Sequence, residues 1–181
     1  MTPIVLTSTT RDDRQIVVRT AEVSDARELH AGFCRVVEEG IWLPTLCVTS
    51  VVADWVAWIN RTRYTREVLL RADVDGQYAG HLTLQPEEWA ASSHVARLGV
   101  VVMKPFRNLG VGRALMIAAE SAAREQKYEK IVLSTFSDNM AARHLYESLG
   151  YRMVGERRNH FRMPSGYIHE TLYERELVEP Q

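Results

Sequence analysis

The fold is decided by one stretch of fifteen residues, Val100-Val-Val-Met-Lys-Pro-Phe-Arg-Asn-Leu-Gly-Val-Gly-Arg-Ala114. An apolar, β-branched run ends at Lys104 and Pro105, and a helix-period pattern of apolar residues follows the two glycines. The stretch therefore predicts a strand, a tight turn and the start of a helix. Gly110 and Gly112 have no Cβ atom, so the backbone can turn sharply there and a ligand can approach it closely.

The predicted helix start is also suited to binding an anion. The first N–H groups of a helix have no partner inside it, and they lie at the positive end of the helix dipole. Arg107 and Arg113 add positive charge beside this turn. A simpler interpretation stays open, in which Gly110 only ends a loop and Gly112 only permits close packing. The segment is neither a P-loop nor the three-glycine dinucleotide fingerprint.

A second motif lies downstream, in the segment Asn139-Met-Ala-Ala-Arg-His-Leu-Tyr-Glu-Ser-Leu-Gly-Tyr151. This helix and the turn over 107–112 resemble, in the right order, the two signatures of the Gcn5-related N-acetyltransferase (GNAT) superfamily. The similarity covers about residues 16–177. Three short strings also resemble a branch of small bacterial enzymes that acetylate free L-amino acids: Gly80–Leu84, Ser93–Ala96 and Gly166–Glu170.

The pattern of elements predicts a mixed α/β fold. Residues 15–178 are expected to form one acetyltransferase domain, and residues 1–14 a polar tail or an extra edge strand. The order is βααβββαβαββ, which the superfamily shares. The resemblance implies a mostly antiparallel sheet flanked by helices, with splayed central strands that leave a slot for the cofactor.

Three local features are also predicted from the sequence. The central strand, over about 94–103, does not alternate cleanly, which is typical of burial on both faces. Asp138 is expected to cap the helix that ends at Gly150. The basic segment 157–162 is expected to be a loop between the last two strands.

The resemblance implies an enzyme that uses acetyl-CoA. The backbone of Val100, Val101 and Val102 would bond the pantetheine arm like an added strand. The remaining cofactor contacts would come from Arg107, Asn108, Leu109, Gly110, Val111, Gly112, Arg113 and Asn139. Tyr146 stands where the family often keeps a general acid that protonates the departing thiolate.

Helix geometry supports that role for Tyr146. Asn139, Ala142 and Tyr146 are offset by three and seven residues, which places them along one face of the helix. Under the structural alternative, Tyr146 packs on the sheet and Asn139 only starts the helix.

The general base is not evident, because the central strand contains no acid. His94, at the start of that strand, is the candidate base and could act through a water molecule. Glu87 and Glu88 on the preceding loop, or a water chain alone, are alternatives.

Three residues are expected to contact the substrate. Glu39, beside Glu38, could hold an ammonium group, while Trp42 and Tyr167 could form walls of the pocket. Each could equally be an ordinary core or surface residue.

Composition limits the other functions. A net charge of −1 gives no global field for nucleic acid or anionic membrane. There is no apolar run of about 18 residues and no secretion signal, so a cytoplasmic protein is expected. Cys34 and Cys47 are expected to be reduced thiols. The histidine and cysteine spacings fit no metal site. A homodimer is expected only by analogy with similar proteins.

The leading hypothesis is an acetyl-CoA-dependent N-acetyltransferase that acts directly on the primary amine of a small molecule, an amino acid or a close analogue. The first alternative is acetylation of protein N-termini or lysines, which would need an open groove for a peptide. The second is a non-catalytic acyl-CoA-binding domain, against which Tyr146 and the intact glycine turn argue.

Overall fold

An eight-stranded sheet organises the molecule in the computed structural model, which describes residues 5–178. The strands are β1 (Val5–Thr9), β2 (Gln15–Thr20), β3 (Val68–Val74), β4 (Gln77–Pro86), β5 (Val95–Val102), β6 (Lys130–Phe136), β7 (Arg152–Met163) and β8 (Gly166–Glu176). Their order in space is β1-β2-β3-β4-β5-β6-β8-β7, and β5 and β6 run parallel while the other neighbours run antiparallel. The predicted mixed, mostly antiparallel sheet is confirmed.

The N-terminal segment supplies β1, which pairs with β2 at the edge of the sheet. Residues 1–4 of the predicted tail lie outside the described residues. The proposed domain boundary at residue 15 stays a prediction.

Four α-helices flank the sheet: α1 (Ala26–Glu38), α2 (Val52–Thr62), α3 (Val111–Glu125) and α4 (Met140–Ser148). The helices lie on both faces of the sheet, as the contacts of successive residues of β3 show. Leu69 packs in a cluster with Trp55 and Ile59 of α2, whereas Leu70 belongs to the core that contains Leu115 of α3. None of the helices between residues 5 and 178 is long and apolar enough to cross a membrane.

The two central strands separate along their length. β5 and β6 pair at three positions, Val95 with Lys130, Ala96 with Ile131 and Arg97 with Val132. Pairing then ends, although β5 continues to Val102 and β6 to Phe136. This leaves the predicted gap between β5 and β6, open toward the glycine turn and closed at Arg97.

A buried ionic cluster fixes the start of α1 on the sheet. Arg71 of β3 donates hydrogen bonds to Asp73 at 2.8 Å, to Asp25 at 2.9 Å and to Glu28 at 2.6 Å. Arg19 of β2 pairs with the same Asp25 at 2.7 Å. Such shared pairing satisfies charges that burial would otherwise penalise, and it fixes the direction in which α1 runs toward its last residues.

Three local predictions were wrong. Asn139, not Asp138, caps α4, because its side chain accepts a hydrogen bond from the Ala142 N–H at 3.2 Å. The basic segment 157–162 belongs to β7, which pairs with β8 through a register shift between Arg157 and Phe161. Its outward charges are typical of an edge strand.

β5 is buried on only part of its surface, which is the third correction. Arg97 and Gly99 are exposed, while Leu98 and Val101 between and beyond them are buried. The helices α1 and α2 do not extend over this part of the sheet, so one face of β5 is left open beside the gap.

Candidate active site

The glycine turn joins β5 to α3 through strained backbone positions. After a 3-10 turn over Lys104–Phe106, Asn108 has φ = 62° and Gly110 has φ = 98°. Gly110 is the N-cap of α3, and a left-handed conformation at that position favours glycine. The N–H groups of the next three residues, 111–113, make no hydrogen bond with any described residue. The start of α3 therefore presents three free donors.

Gly112 allows α3 to pack closely against β5 and α4. A Cβ atom at Gly112 would lie 3.1 Å from Cδ2 of Leu145 and 3.7 Å from Cγ2 of Val102. Its backbone conformation is ordinary for a helix, so the absent side chain is explained by space rather than by φ. These contacts support the interpretation in which Gly112 permits close packing, while the free N–H groups at the start of α3 are suited to a phosphate-bearing ligand.

The backbone of β5 presents polar groups to the gap. The Met103 N–H donates to the Ala79 carbonyl at 2.9 Å, so the backbone N–H and C=O groups of Met103 point toward β4. The direction of these backbone groups alternates along an antiparallel strand. Those of Val101 therefore also point toward β4, while those of Val100 and Val102 point toward the gap. Their peptide groups are available to an extended ligand lying along β5. The Val102 carbonyl already accepts a hydrogen bond from Nε of Arg107 at 3.0 Å.

Arg107, Glu39 and Trp42 form one cluster at the end of α1. Nη1 and Nη2 of Arg107 each donate to the Glu39 carboxylate at 2.7 Å. The Trp42 indole N–H donates to the same carboxylate at 2.6 Å, and the guanidinium lies 5.0 Å from the centre of a Trp42 ring. Hydrogen bonding from Arg107 lowers the pKa of Glu39. Arg107, a predicted cofactor residue, thus contacts the two predicted substrate residues Glu39 and Trp42. The Glu39 carboxylate is already paired within the protein before any substrate binds.

Two other predicted cofactor residues have partners in α4. Nη2 of Arg113 donates to Oγ of Ser148 at 2.6 Å. Asn139 uses its side chain for the helix cap, which is the structural role that the sequence left open. Asn108 and Leu109 lie within the turn, where the Leu109 carbonyl accepts the Arg11 N–H at 3.2 Å.

A groove of about 460 Å³ borders the other flank of the glycine turn. It lies between α3 and β1 with the two residues that follow this strand, and its lining includes Thr10, Arg11, Gly110 and Arg113. The groove is separate from the gap between β5 and β6, although both reach the start of α3.

Tyr146 is buried on α4, with its ring between two other tyrosines. The ring centres of Tyr151 and Tyr173 lie 6.2 Å and 5.6 Å from it. Burial raises the pKa of Tyr146 above its ordinary value. Its hydroxyl group makes no hydrogen bond with the described residues. Unlike Oη of Tyr151, this oxygen is not fully enclosed by the protein. The hydroxyl group therefore stays protonated at neutral pH and free to donate.

The structure does not support His94 as the base. His94 lies before β5 at its closed end, where its carbonyl accepts the Glu129 N–H at 2.8 Å. A strand rises about 3.3 Å per residue, which places His94 roughly 20 Å from Val100. The sequence suggested His94 because it starts the central strand, but the gap opens at the other end of that strand.

Tyr167 is also apart from the other predicted residues. It lies near the tip of the hairpin formed by β7 and β8, paired with Arg162, and it is 63% exposed. β8 begins to pair with β6 only at Glu170, so Tyr167 extends past the end of β6.

Sequence reasoning missed Arg97, which lies where β5 and β6 separate. The signal was available, because Arg97 is the single charged residue in the strand Val95–Val102. Its meaning depends on which face of the sheet it occupies, and that is set by strand register. Between residues 5 and 178 no cluster of His, Cys, Asp or Glu side chains is suited to a metal ion.

Comparison with known proteins gives a consistent result. Residues 36–151 match the acetyltransferase (GNAT) family. The chain is 31% identical to the L-amino acid N-acetyltransferase AaaT of Escherichia coli K12 over 146 residues, which is 78% of this chain and 85% of that protein.

Solved structures share the fold. An acetyltransferase of the GNAT family from Streptococcus pneumoniae superposes with a TM-score of 0.83 at 24% identity, over 89% of this chain and 99% of that one. A Salmonella typhimurium acetyltransferase solved with its cofactor acetyl-CoA superposes with a TM-score of 0.84 at 18% identity, over 91% and 95% of the two chains.

Proposed function

The chain belongs to the acetyltransferase (GNAT) family, whose enzymes use acetyl-CoA, and we propose that it transfers the acetyl group directly to the primary amine of an amino acid or a close analogue. The observation that carries this proposal is the gap between β5 and β6. It opens at its wide end beside three N–H groups at the start of α3 that have no partner in the described part of the chain. Similarity to AaaT over most of both chains favours an amino acid as the acceptor.

The residues around the gap fit the donor. Acetyl-CoA supplies an acetyl group already activated as a thioester. The N–H groups of residues 111–113 would bind the pyrophosphate, and the peptide groups of Val100 and Val102 would bond the pantetheine amides. Gly112 keeps the start of α3 close to Leu145 and Val102, which would hold these N–H groups beside the gap.

Tyr146 would act as the general acid. Its raised pKa keeps the phenol protonated at neutral pH, and its hydroxyl group has no competing partner among the described residues. A protonated, unengaged hydroxyl group on α4 can donate its proton to the sulfur atom of the leaving thiolate. The aromatic packing against Tyr151 and Tyr173 holds the ring in one orientation.

Removal of a proton from the acceptor would depend on water. The ammonium group of a free amino acid has a higher pKa than a peptide N-terminus, for which the value is about 8, so at pH 7 nearly all acceptor molecules are protonated. His94 is too far along β5 to reach the gap directly. We therefore assign the deprotonation step to a chain of water molecules rather than to a side chain.

One assay separates this proposal from the alternatives. Thiol release from acetyl-CoA is measured with L-amino acids, polyamines, aminoglycosides and short peptides as acceptors. The proposal expects release with one or more amino acids and little with peptides. Release with peptides alone would favour the protein-acetylating alternative. Tight binding of acetyl-CoA without release on any acceptor would favour a non-catalytic acyl-CoA-binding domain.

A further inference from the structure

Arg97 occupies the point at which β5 and β6 part. It is the last residue of β5 that pairs with β6, opposite Val132. Its side chain is exposed, and it makes no hydrogen bond or ion pair with any residue between 5 and 178. Its cross-strand neighbour on β4, Gln85, is uncharged, as is Val132. The guanidinium is therefore a positive charge that the adjacent strands do not neutralise.

The register of the sheet decides which face carries Arg97. His81, Thr83 and Gln85 of β4 lie opposite Val101, Gly99 and Arg97 of β5, and paired residues share a face. His81 contacts Phe33 of α1 and Trp55 of α2. Arg97 is thus on the face of α1 and α2, whereas Tyr146 and the start of α3 lie on the opposite side.

Gly99 leaves space on this face beside Arg97. The next same-face position along β5 has no side chain, and Gly99 is exposed. A Cβ atom there would lie 3.1 Å from Oγ1 of Thr83, so Thr83 borders this position on the side of β4. Because Gly99 is exposed and has no side chain, a small acceptor can rest on its backbone, next to the narrow end of the gap. One end of such a molecule would lie within reach of the Arg97 side chain.

We propose that Arg97 binds the carboxylate of the acceptor and so restricts the enzyme to amines that carry an acidic group. The inference rests on the proposed function, and it names the substrate class of the same site. A guanidinium matches a carboxylate in charge and in two-point geometry. The same charge repels polyamines and other cationic acceptors. Arg97 would therefore favour acidic acceptors and disfavour cationic ones.

The test compares acceptors that differ by one group. Kinetics are measured for an amino acid and for its amide, which keeps the amine and loses the carboxylate. For the Arg97→Ala variant we expect KM for the amino acid to rise about 10- to 100-fold, and KM for the amide to change less than about threefold. The value of kcat at saturation should change little, because Arg97 binds the acceptor and moves no proton. Arg97→Lys should recover part of the loss.

Arg124→Ala is the matched control. Arg124 is an exposed arginine in the last turn of α3, on the opposite side of the sheet. Its loss should leave both KM values unchanged. Acetyl-CoA affinity, measured by calorimetry, should be unchanged in both Arg97→Ala and Arg124→Ala.

The outcomes separate the inference from the proposed function. Equal KM increases for the amino acid and its amide would overturn the role of Arg97, as would a wild-type enzyme that acetylates only amines without a carboxylate. Absence of thiol release with every acceptor would instead contradict the proposed function. Arg97 is then tested by calorimetry of the coenzyme A complex with N-acetyl-L-glutamate. Weaker binding in Arg97→Ala would support the inference, and unchanged binding or no binding to wild type would overturn it.

Discussion

The carboxylate of Glu39 and the guanidinium of Arg107 meet at two points, with both N···O distances at 2.7 Å. The pair joins the end of α1 to the turn that leads into α3. Nε of the same guanidinium bonds the Val102 carbonyl at 3.0 Å. All three nitrogen atoms of Arg107 are therefore engaged within the protein, which indicates that it positions the turn rather than meeting the phosphates directly.

Glu39→Gln and Arg107→Ala should weaken acetyl-CoA binding by similar factors, about 3- to 10-fold each. Both changes remove the same pair, so the double variant should be little weaker than either single one. Calorimetry on the four proteins measures the coupling. Tighter binding in Glu39→Gln, with loss only in Arg107→Ala, would mean that Arg107 contacts phosphate and that Glu39 competes with it.

Gly112→Ala should separate folding from cofactor binding. Alanine raises helix stability by up to about 1 kcal/mol over glycine, provided that Leu145 yields by a few tenths of an ångström. The new Cβ atom would also press on Leu145 and shift the start of α3 relative to the gap, so acetyl-CoA affinity should fall about tenfold or more. Thermal unfolding and calorimetry together give the two values.

Gly110→Ala serves as the contrasting variant. Nothing lies within 4 Å of a Cβ atom at Gly110, but φ is +98° there. We expect a loss of stability of about 1 kcal/mol or more from backbone strain. Unchanged affinity in Gly112→Ala would show that the close packing at Gly112 does not control cofactor binding.

Tyr146→Phe deletes the hydroxyl group that is assigned as the proton donor. Turnover should fall by about 10²-fold while acetyl-CoA affinity changes little. Tyr151→Phe is the control on the neighbouring ring, 6.2 Å away between centres. Oη of Tyr151 is buried without a hydrogen-bond partner among residues 5–178, so its removal should leave turnover intact and stability equal or higher. Near-normal turnover in Tyr146→Phe would make Tyr146 a packing residue.

The value of kcat/KM should rise with pH from about 6 to 9, because the acceptor must lose a proton before attack. His94→Gln should retain this rise, since His94 lies at the closed end of β5. Steady-state kinetics across the range test both statements. An acid limb that disappeared in a folded His94→Gln enzyme would restore His94 as the base.

Stability should fall as the pH is lowered from 7 to 5, because His81 is buried between α1, α2 and the sheet. Nδ1 of His81 lies 2.6 Å from the Tyr78 hydroxyl group, and burial lowers the pKa of His81 to about 4. The unfolded chain protonates this group near its ordinary pKa of about 6.5, so the folded state loses about 2 kcal/mol between pH 7 and pH 5.

Urea unfolding of the wild type and of His81→Gln at both pH values measures this contribution. The carboxylates with lowered pKa values, Asp12, Asp25, Glu39 and Glu174, titrate below this window. The difference between the two pH values should therefore be much smaller in the variant. An equal difference in both proteins would assign the acid sensitivity to other groups.

The sequence by itself determined the features that depend on neighbouring residues. The strand, turn and helix over Val100–Ala114 follow from local periodicity and from two glycines, and the order of elements follows from the same signals along the chain. The resemblance carried by 107–112 and 139–151 then gave the family, the splayed strands and the cofactor. Each is encoded within a few residues, where backbone preference and side-chain spacing act directly.

Tertiary structure decided which of these residues meet. Glu39 and Arg107 are 68 positions apart and meet only when the end of α1 lies beside the turn that leads into α3. His94 and Arg97 are three residues apart, yet strand register places one at the closed end of β5 and the other beside the gap. Strand pairing and helix docking are non-local, and a side chain's face and neighbours become defined only when distant segments pack against each other.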